Sequence, residues 1–260
     1  MKQVKNKRNL LIVFVLLLVL CLAGCGLFQS GEDKLKDLLE DKYGEKFGVE
    51  SYYYAGDMWS MCYPLSDPTL LFEVRTDGEV THIVHDYYLQ NVVARQVEEE
   101  YEPLAQQVFP GCYLSVDISH TLSSIPETFP KADTVTVDDI ISYYNENDIS
   151  SNVVINIFVD TSQMSEDSIE AEYAFLKDVV GSNVANDKLP DTIVELYFGD
   201  TQFVQECKQV IVEETWRGNA GIYDKLNGCP QIWIGYYENG EVDYTLDVYI
   251  EKRTEALNNE

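Results

Sequence analysis

The stretch VVINIFV at residues 153–159 is apolar at every position except Asn156. A strand that is covered on one side alternates apolar and polar residues, whereas this run is apolar on both faces. It therefore predicts a central strand with a layer of structure on each side. Residues 193–198 predict a second buried strand of the same kind.

Helical patterns surround these two strands. Apolar residues recur at intervals of three and four after Ser165 and again after Asp200, and Gly181 is placed to end the first helix. The order strand, helix, strand, helix predicts crossover connections and at least partly parallel pairing.

Turn signals predict two hairpins in other parts of the chain. The first, residues 70–84, closes at Asp77-Gly78, and the second, residues 232–250, closes at Asn239-Gly240. Both dipeptides accept the positive φ angles of a tight two-residue turn. Each hairpin would add a pair of antiparallel strands to a sheet.

The predicted fold class is α+β, with mixed sheets, hairpins and α/β crossovers, and with room for two sub-domains. Residues 121–136 show neither a helical nor a strand period and contain two prolines, so they predict a linker. An N-terminal α+β domain over residues 33–120 would precede this linker. A C-terminal α/β domain over residues 137–260 would follow it.

Residues 1–26 read MKQVKNKRNLLIVFVLLLVLCLAGCG, which is a cationic lead, an apolar run and small residues before Cys25. This is the layout of a secretion signal. Its end, Leu22-Ala23-Gly24-Cys25, resembles the lipobox of bacterial lipoproteins. The resemblance implies a signal peptide over residues 1–24, a diacylglyceryl anchor on Cys25 and a tether over residues 25–32. The protein would then lie on the extracytoplasmic face of the cell membrane.

An uncleaved transmembrane anchor is the alternative interpretation of the same segment. As a helix, residues 10–28 would extend roughly 28 Å at about 1.5 Å per residue, which is just enough to span a bilayer core. Both interpretations leave the rest of the chain outside the cytoplasm, because the positive lead stays inside.

The first helical pattern carries a second resemblance. Ser30 is a predicted N-cap with Asp33 three residues later, and Thr136 with Asp139 predicts the same device further on. Residues 34–47, which end in KYGEKF, are similar to the opening of small uncharacterised cell-surface lipoproteins of Gram-positive bacteria. That family implies no activity for this chain.

The composition is strongly acidic, with 45 Asp and Glu against 18 Lys and Arg and a net charge of −27. Such a charge argues against nucleic acid as a partner. Solubility is the plain explanation, and calcium binding is the alternative, although the sequence contains no D-x-[DN]-x-[DN]-G loop. Apolar residues make up 45% of the chain, which is typical of a folded globular body.

Aromatic residues are concentrated between residues 49 and 63. Strand alternation puts Tyr52 and Tyr54 on one face and Tyr53 on the other. One interpretation is ordinary packing of aromatic strand residues. The other is a contact surface for a wall glycan, a peptide or an envelope protein, because rigid aromatic rings give contact area at a low entropy cost. The candidate binding residues are Tyr52, Tyr54, Trp59 and Tyr63.

Four cysteines remain when Cys21 and Cys25 are set aside, and they are candidates for disulfides in an oxidising compartment. Pairing within each half of the chain would join Cys62 to Cys112 and Cys207 to Cys229. The alternative is four buried thiols that pack as small apolar groups.

Motifs for catalysis and cofactors are absent from the sequence. It has no G-x-S-x-G, H-E-x-x-H or Walker-type pattern and no dinucleotide fingerprint, so no catalytic residue and no cofactor are predicted. His82 and His85 are three positions apart, and in a strand they would point to opposite faces, which argues against a zinc site. Paired carboxylates are the alternative, with 45 Asp and Glu residues as candidates.

Three functional hypotheses follow from these patterns. The first is a non-catalytic envelope protein, anchored through Cys25, that binds a wall glycan, a peptide or a membrane protein. The second is a wall-directed hydrolase that uses paired carboxylates. The third is an assembly factor for an exported complex.

Overall fold

A computed structural model describes residues 30–55, 57–118, 133–147, 152–185, 189, 191–214, 226, 228–237, 242 and 244–258. The predicted signal peptide, the lipobox with Cys25 and most of the predicted linker lie outside these residues. Within the described ranges, no helix is long and apolar enough to cross a membrane.

Sheet A is antiparallel and contains four strands in the order β1-β2-β3-β4. On its inner face lie helix α1 and the start of helix α2, where the Tyr88 ring packs 4.8 Å from the Phe72 ring, centroid to centroid. Burial alternates along β3, so the second face of the sheet is more exposed. The elements are α1 (Gly31–Tyr43), β1 (Phe47–Ala55), β2 (Asp57–Pro64), β3 (Phe72–Thr76), β4 (Ile83–Asp86) and α2 (Tyr88–Val108).

Sheet B is mixed and contains four strands in the order β5-β6-β7-β8. Strands β6 and β7 are parallel, and the outer pairs are antiparallel. The prediction for residues 153–159 is confirmed, because β6 is an inner strand whose residues are buried at seven of eight positions. The elements are β5 (Tyr113–Ile118), α3 (Val137–Glu146), β6 (Val153–Asp160), β7 (Thr192–Gly199), α6 (Thr201–Glu214) and β8 (Gln231–Tyr236).

The crossover from β6 to β7 is helical, as predicted, but Gly181 does not end its helix. Short 3₁₀ turns lead into α4 (Ile169–Ala174), a π-helical segment (Phe175–Val180) and α5 (Gly181–Ala185). Gly181 has ordinary helical φ and ψ angles of −62° and −36°. Its hydrogen side chain makes room for a neighbour, since a Cβ there would lie 3.1 Å from Cδ1 of Tyr236.

The first predicted hairpin is confirmed by the antiparallel pairing of β3 with β4, but its turn is longer than two residues. The Asp77 carboxylate organises the loop by accepting hydrogen bonds from the backbone N–H groups of Thr81 and His82 at 2.6 and 3.1 Å. The residue with positive φ is Val80, at 54°, and Gly78 is not one.

The second predicted hairpin is wrong beyond its first strand. Strand β8 ends at Tyr236, Val242 forms one isolated bridge to it, and helix α7 (Leu246–Asn258) follows. The helix buries Tyr249, Arg253 and Ala256, whose spacing of four and three residues is helical.

One hydrophobic core runs through both sheets. It includes Leu39 of α1, Val97 of α2, Ile155 of β6 and Tyr249 of α7. Strand β5 comes before the predicted linker and pairs with β6, which comes after it. The α+β class with two sheets is confirmed, and the two predicted halves share this core.

Candidate functional site

The candidate site is a line of three side chains across the outer face of sheet A, which we call the sheet A row. It consists of Trp59 on β2, Arg75 on β3 and His85 on β4. Trp59 is directly opposite Arg75, and Arg75 is directly opposite His85. Directly opposed residues of antiparallel strands share a face, and here all three are half-buried.

The members of the sheet A row contact one another. The Arg75 guanidinium carbon lies 5.1 Å from the centre of the Trp59 ring, which is the geometry of a cation–π contact. The His85 ring meets the Trp59 ring edge to face at 5.5 Å, and the Tyr87 ring extends the array 5.8 Å from His85. These contacts hold the indole in place before any ligand arrives.

Arg75 is the charged member of the sheet A row at neutral pH. Burial lowers the pKa of His85, and the nearby Arg75 charge lowers it further, so the imidazole is neutral at pH 7. Arginine keeps its charge throughout this range. The row therefore offers one guanidinium beside two aromatic rings, on a chain whose net charge is −27.

The predicted binding residues fall into two register groups. Tyr52 and Tyr54 are opposite Ser60 and Met58, so they have the register of the other face of the sheet from Trp59, which is opposite Tyr53. The side chains of residues 52–58 lie outside the description.

Tyr63 shares a strand face with Trp59, because the two are four residues apart on β2. A Cβ at Gly48 would lie 2.2 Å from Cζ of Tyr63, so the phenol ring rests on the glycine backbone across the strand pair. The structure thus brings Trp59 and Tyr63 to one face of the sheet.

Sequence reasoning missed Arg75 and Tyr87 and considered His85 only as a metal ligand. The available signal was the hairpin itself, which places residues on β3 opposite residues on β4. Reading which residues of β3 and β4 are paired from the sequence requires the correct turn length, and the two-residue turn predicted at Asp77-Gly78 was too short. His82 lies in the loop, away from the row, and among the described residues no three His, Cys, Asp or Glu side chains are grouped to hold a metal.

A groove of about 460 Å³ lies at the other side of the N-terminal half, beside the end of α1. The Tyr88 hydroxyl donates a hydrogen bond to Glu45 there, and burial, this bond and the charges of Asp67 and Asp133 raise the Tyr88 pKa. Three carboxylates make the groove acidic, which disfavours anionic ligands.

The four candidate disulfide cysteines are thiols in the structure. Cys62 on β2 and Cys112 just before β5 both belong to the main core, whereas Cys207 and Cys229 both belong to the smaller core between α6 and sheet B. Burial raises the pKa of Cys112 to about 12 and raises that of Cys62 further. The fold thus keeps each predicted pair, Cys62 with Cys112 and Cys207 with Cys229, within one core cluster, and both pairings stay predictions.

Comparison with known proteins gives a fold and no activity. No family model and no curated protein matches the sequence. A crystal structure of a DUF5037 family protein from Ruminococcus gnavus ATCC 29149 is similar, with a TM-score of 0.67, 20% identity, and coverage of 86% of this chain and 99% of that chain. A DUF1672 family protein from Staphylococcus aureus subsp. aureus Mu50 gives a TM-score of 0.39 at 9% identity, with 80% and 87% covered. The first comparison shows a shared fold, and the second carries no argument.

Proposed function

We propose that this chain is a lipid-anchored protein of the bacterial cell envelope that binds wall glycan through the sheet A row. The observation that carries the proposal is the Trp59 indole, half-buried on a sheet face and in contact with both Arg75 and His85. The segment Leu22-Ala23-Gly24-Cys25, which resembles a lipobox, supports the location.

The chemistry of the sheet A row suits a sugar chain. An indole gives a flat apolar platform on which the C–H face of a sugar ring can lie. A guanidinium beside it donates several hydrogen bonds in one plane, to hydroxyl groups or to a carboxylate. Fixed side chains lose little conformational freedom on binding, which favours affinity.

The proposed anchor would keep this surface near the membrane. Residues 26–30 separate Cys25 from the first residue of α1. Fully extended, they reach about 17 Å at about 3.4 Å per residue. Two acyl chains on Cys25 would make the attachment stable. Replacing Cys25 by Ser should abolish incorporation of labelled palmitate, because the acylated sulfur is lost.

Retention on purified wall sacculi tests the binding proposal. Residues 26–260 should be retained, and Trp59→Ala and Arg75→Ala should each reduce the retained fraction at least fivefold, because they remove the platform and the donors. Val84→Ala is the matched control, since Val84 is on the same strand as His85 but is 39% exposed and outside the row. Circular dichroism should show that all variants keep the fold.

Two results would contradict the proposal. If the Trp59→Ala variant is retained as well as the wild type, the sheet A row is not the binding surface. If the protein captures a specific protein from detergent-solubilised membranes and is not retained on sacculi, a partner or assembly role is favoured. Release of soluble wall fragments with a bell-shaped pH dependence would instead support the hydrolase hypothesis.

A further inference from the structure

A second line of side chains crosses sheet B, and the proposed function does not use it. We call it the sheet B row. Ser115 on β5 is paired with Asn156 on β6, Asn156 with Glu195 on β7, and Glu195 with Trp233 on β8. Paired residues of adjacent strands share a face, so these four side chains form one strip.

The sheet B row lies on the face that α6 partly covers. The neighbouring line on the same face contains Phe158 and Tyr197, which pack with Val204 and Cys207 of α6 in the smaller core. Ile155, the residue before Asn156, instead belongs to the main core on the opposite face. Helix α6 therefore forms a wall beside the sheet B row.

Asn156 is the unusual member of this row. It is 1% exposed, and neither its Nδ2 nor its Oδ1 has a hydrogen-bond partner among the described residues. Buried polar groups are nearly always paired, and each unmet one costs about 1–3 kcal/mol. An apolar residue would fit the surrounding strand better, so the amide offers a buried donor and acceptor to a ligand.

The row changes from buried to exposed along its length. Ser115 and Asn156 are 2% and 1% exposed, whereas Trp233 at the other end is 55% exposed. Between them, Glu195 is half-buried and accepts a hydrogen bond from the Tyr197 hydroxyl. Burial raises the Glu195 pKa, the Tyr197 bond opposes this, and the Asp117 charge adds to the rise.

We infer that the sheet B row is a binding site for a sugar ring. The apolar face of the ring would lie on Trp233, and Glu195 would accept a hydrogen bond from a sugar hydroxyl. Asn156 would donate one hydrogen bond to the sugar and accept another from an adjacent group. Such a pair occurs in an acetamido group and in two neighbouring hydroxyls. Because Asn156 is only 1% exposed, a ligand must displace what covers it, so we expect association to be slower than at an open surface.

Calorimetry with two disaccharides tests this site in the full chain, purified in detergent. N,N′-diacetylchitobiose supplies acetamido groups, and cellobiose supplies hydroxyls alone. We expect at least one of them to bind, Trp233→Ala to weaken it at least tenfold, and Asn156→Leu to weaken it similarly while the melting temperature stays the same or rises. A preference for one disaccharide identifies the group that Asn156 recognises.

The control separates this inference from the proposed function. Disaccharide binding measured in the Trp59→Ala background reports on the sheet B row alone, and adding Val84→Ala, which lies outside both rows, should leave it unchanged, so either proposal can fail alone. Binding that survives both Asn156→Leu and Trp233→Ala would overturn the site, as would no binding of either disaccharide at millimolar concentration. Asn156 would then be satisfied by a buried water. Trp233 is exposed, so its variant tests the site even if Asn156→Leu does not fold.

Discussion

At the scale of single residues, Asp160 shows how one carboxylate fixes the end of a central strand. It is 1% exposed and accepts hydrogen bonds from the Ser162 backbone N–H and hydroxyl, the Gln163 amide and the Thr201 hydroxyl at 2.6–3.1 Å. These bonds join the end of β6 to the start of α6. Burial alone would raise the Asp160 pKa, but the hydrogen bonds outweigh it, and the pKa is lowered.

Asp160→Asn should destabilise the fold by about 2–3 kcal/mol at pH 7, because an amide nitrogen would face donors that now meet a carboxylate. A lowered folded-state pKa gives stability that is present above the unfolded pKa of about 4 and is lost as pH falls through the folded value. The difference between wild type and variant should therefore shrink on acidification.

Urea denaturation at pH 7 and at pH 3 measures both effects. Asp138→Asn is the control, because Asp138 is exposed on α3. An equal loss of stability at the two pH values would show that the charge of Asp160 does not matter.

Residue-level predictions succeeded where the cause was local. Ser30 and Thr136 cap their helices as predicted, each accepting from the backbone N–H three residues later. The prediction that Gly181 ends its helix was wrong, because the glycine is explained by the close approach of the Tyr236 ring from β8. Val80 has the positive φ that was expected nearer Gly78, and a strained β-branched residue leaves no sequence signal.

At the scale of elements, α7 is the main difference between sequence and structure. The Asn239-Gly240 pair and the aromatic residues around it favour a hairpin. A helix forms instead because its side chains bind the Glu172 carboxylate. Arg253 donates hydrogen bonds to both carboxylate oxygens at 2.7 and 3.0 Å, and the Tyr249 hydroxyl donates another at 2.7 Å. Glu172 is 0% exposed and 81 residues away from Arg253, so no local pattern reveals the pair.

Arg253→Met should destabilise the protein by about 3–5 kcal/mol, since it leaves the Glu172 carboxylate buried without its cation. Hydrogen exchange should show α7 opening first. Lys252→Met is the matched control, because the neighbouring Lys252–Glu255 pair on the same helix is exposed and should contribute little.

The double variant Glu172→Gln, Arg253→Met separates the buried charge from the lost contacts. It should be more stable than Arg253→Met alone. If the two are equally unstable, packing of the arginine stem is what holds α7 in place.

At the scale of the whole molecule, the two sheets share one core although the sequence predicts room for two sub-domains. The strands and helices of sheet B were mostly predictable, because buried strands have strong apolar runs. The sheet A row was only partly predictable, because it depends on pairing between strands. The concentration of aromatic residues in the sequence made Trp59 a candidate. Arg75 and His85 lie beside it only because of how the strands are paired.

The shared core predicts a single unfolding transition. Trp59 reports on sheet A and Trp233 on sheet B, so each can be followed by fluorescence in a variant whose other two tryptophans, including Trp216, are changed to Phe. The urea midpoints should coincide, because removing either sheet exposes the core of the other. Two separate midpoints would show that the halves fold independently.

The ion pair between Glu172 and Arg253 also determines when this part of the fold can form during synthesis. Glu172 leaves the ribosome 81 residues before its cation does, an interval of about 4–16 s at about 5–20 residues per second. During that time α4 holds a carboxylate with no cation to neutralise it, and it cannot settle against the core. This part of the core therefore cannot be completed until α7 emerges.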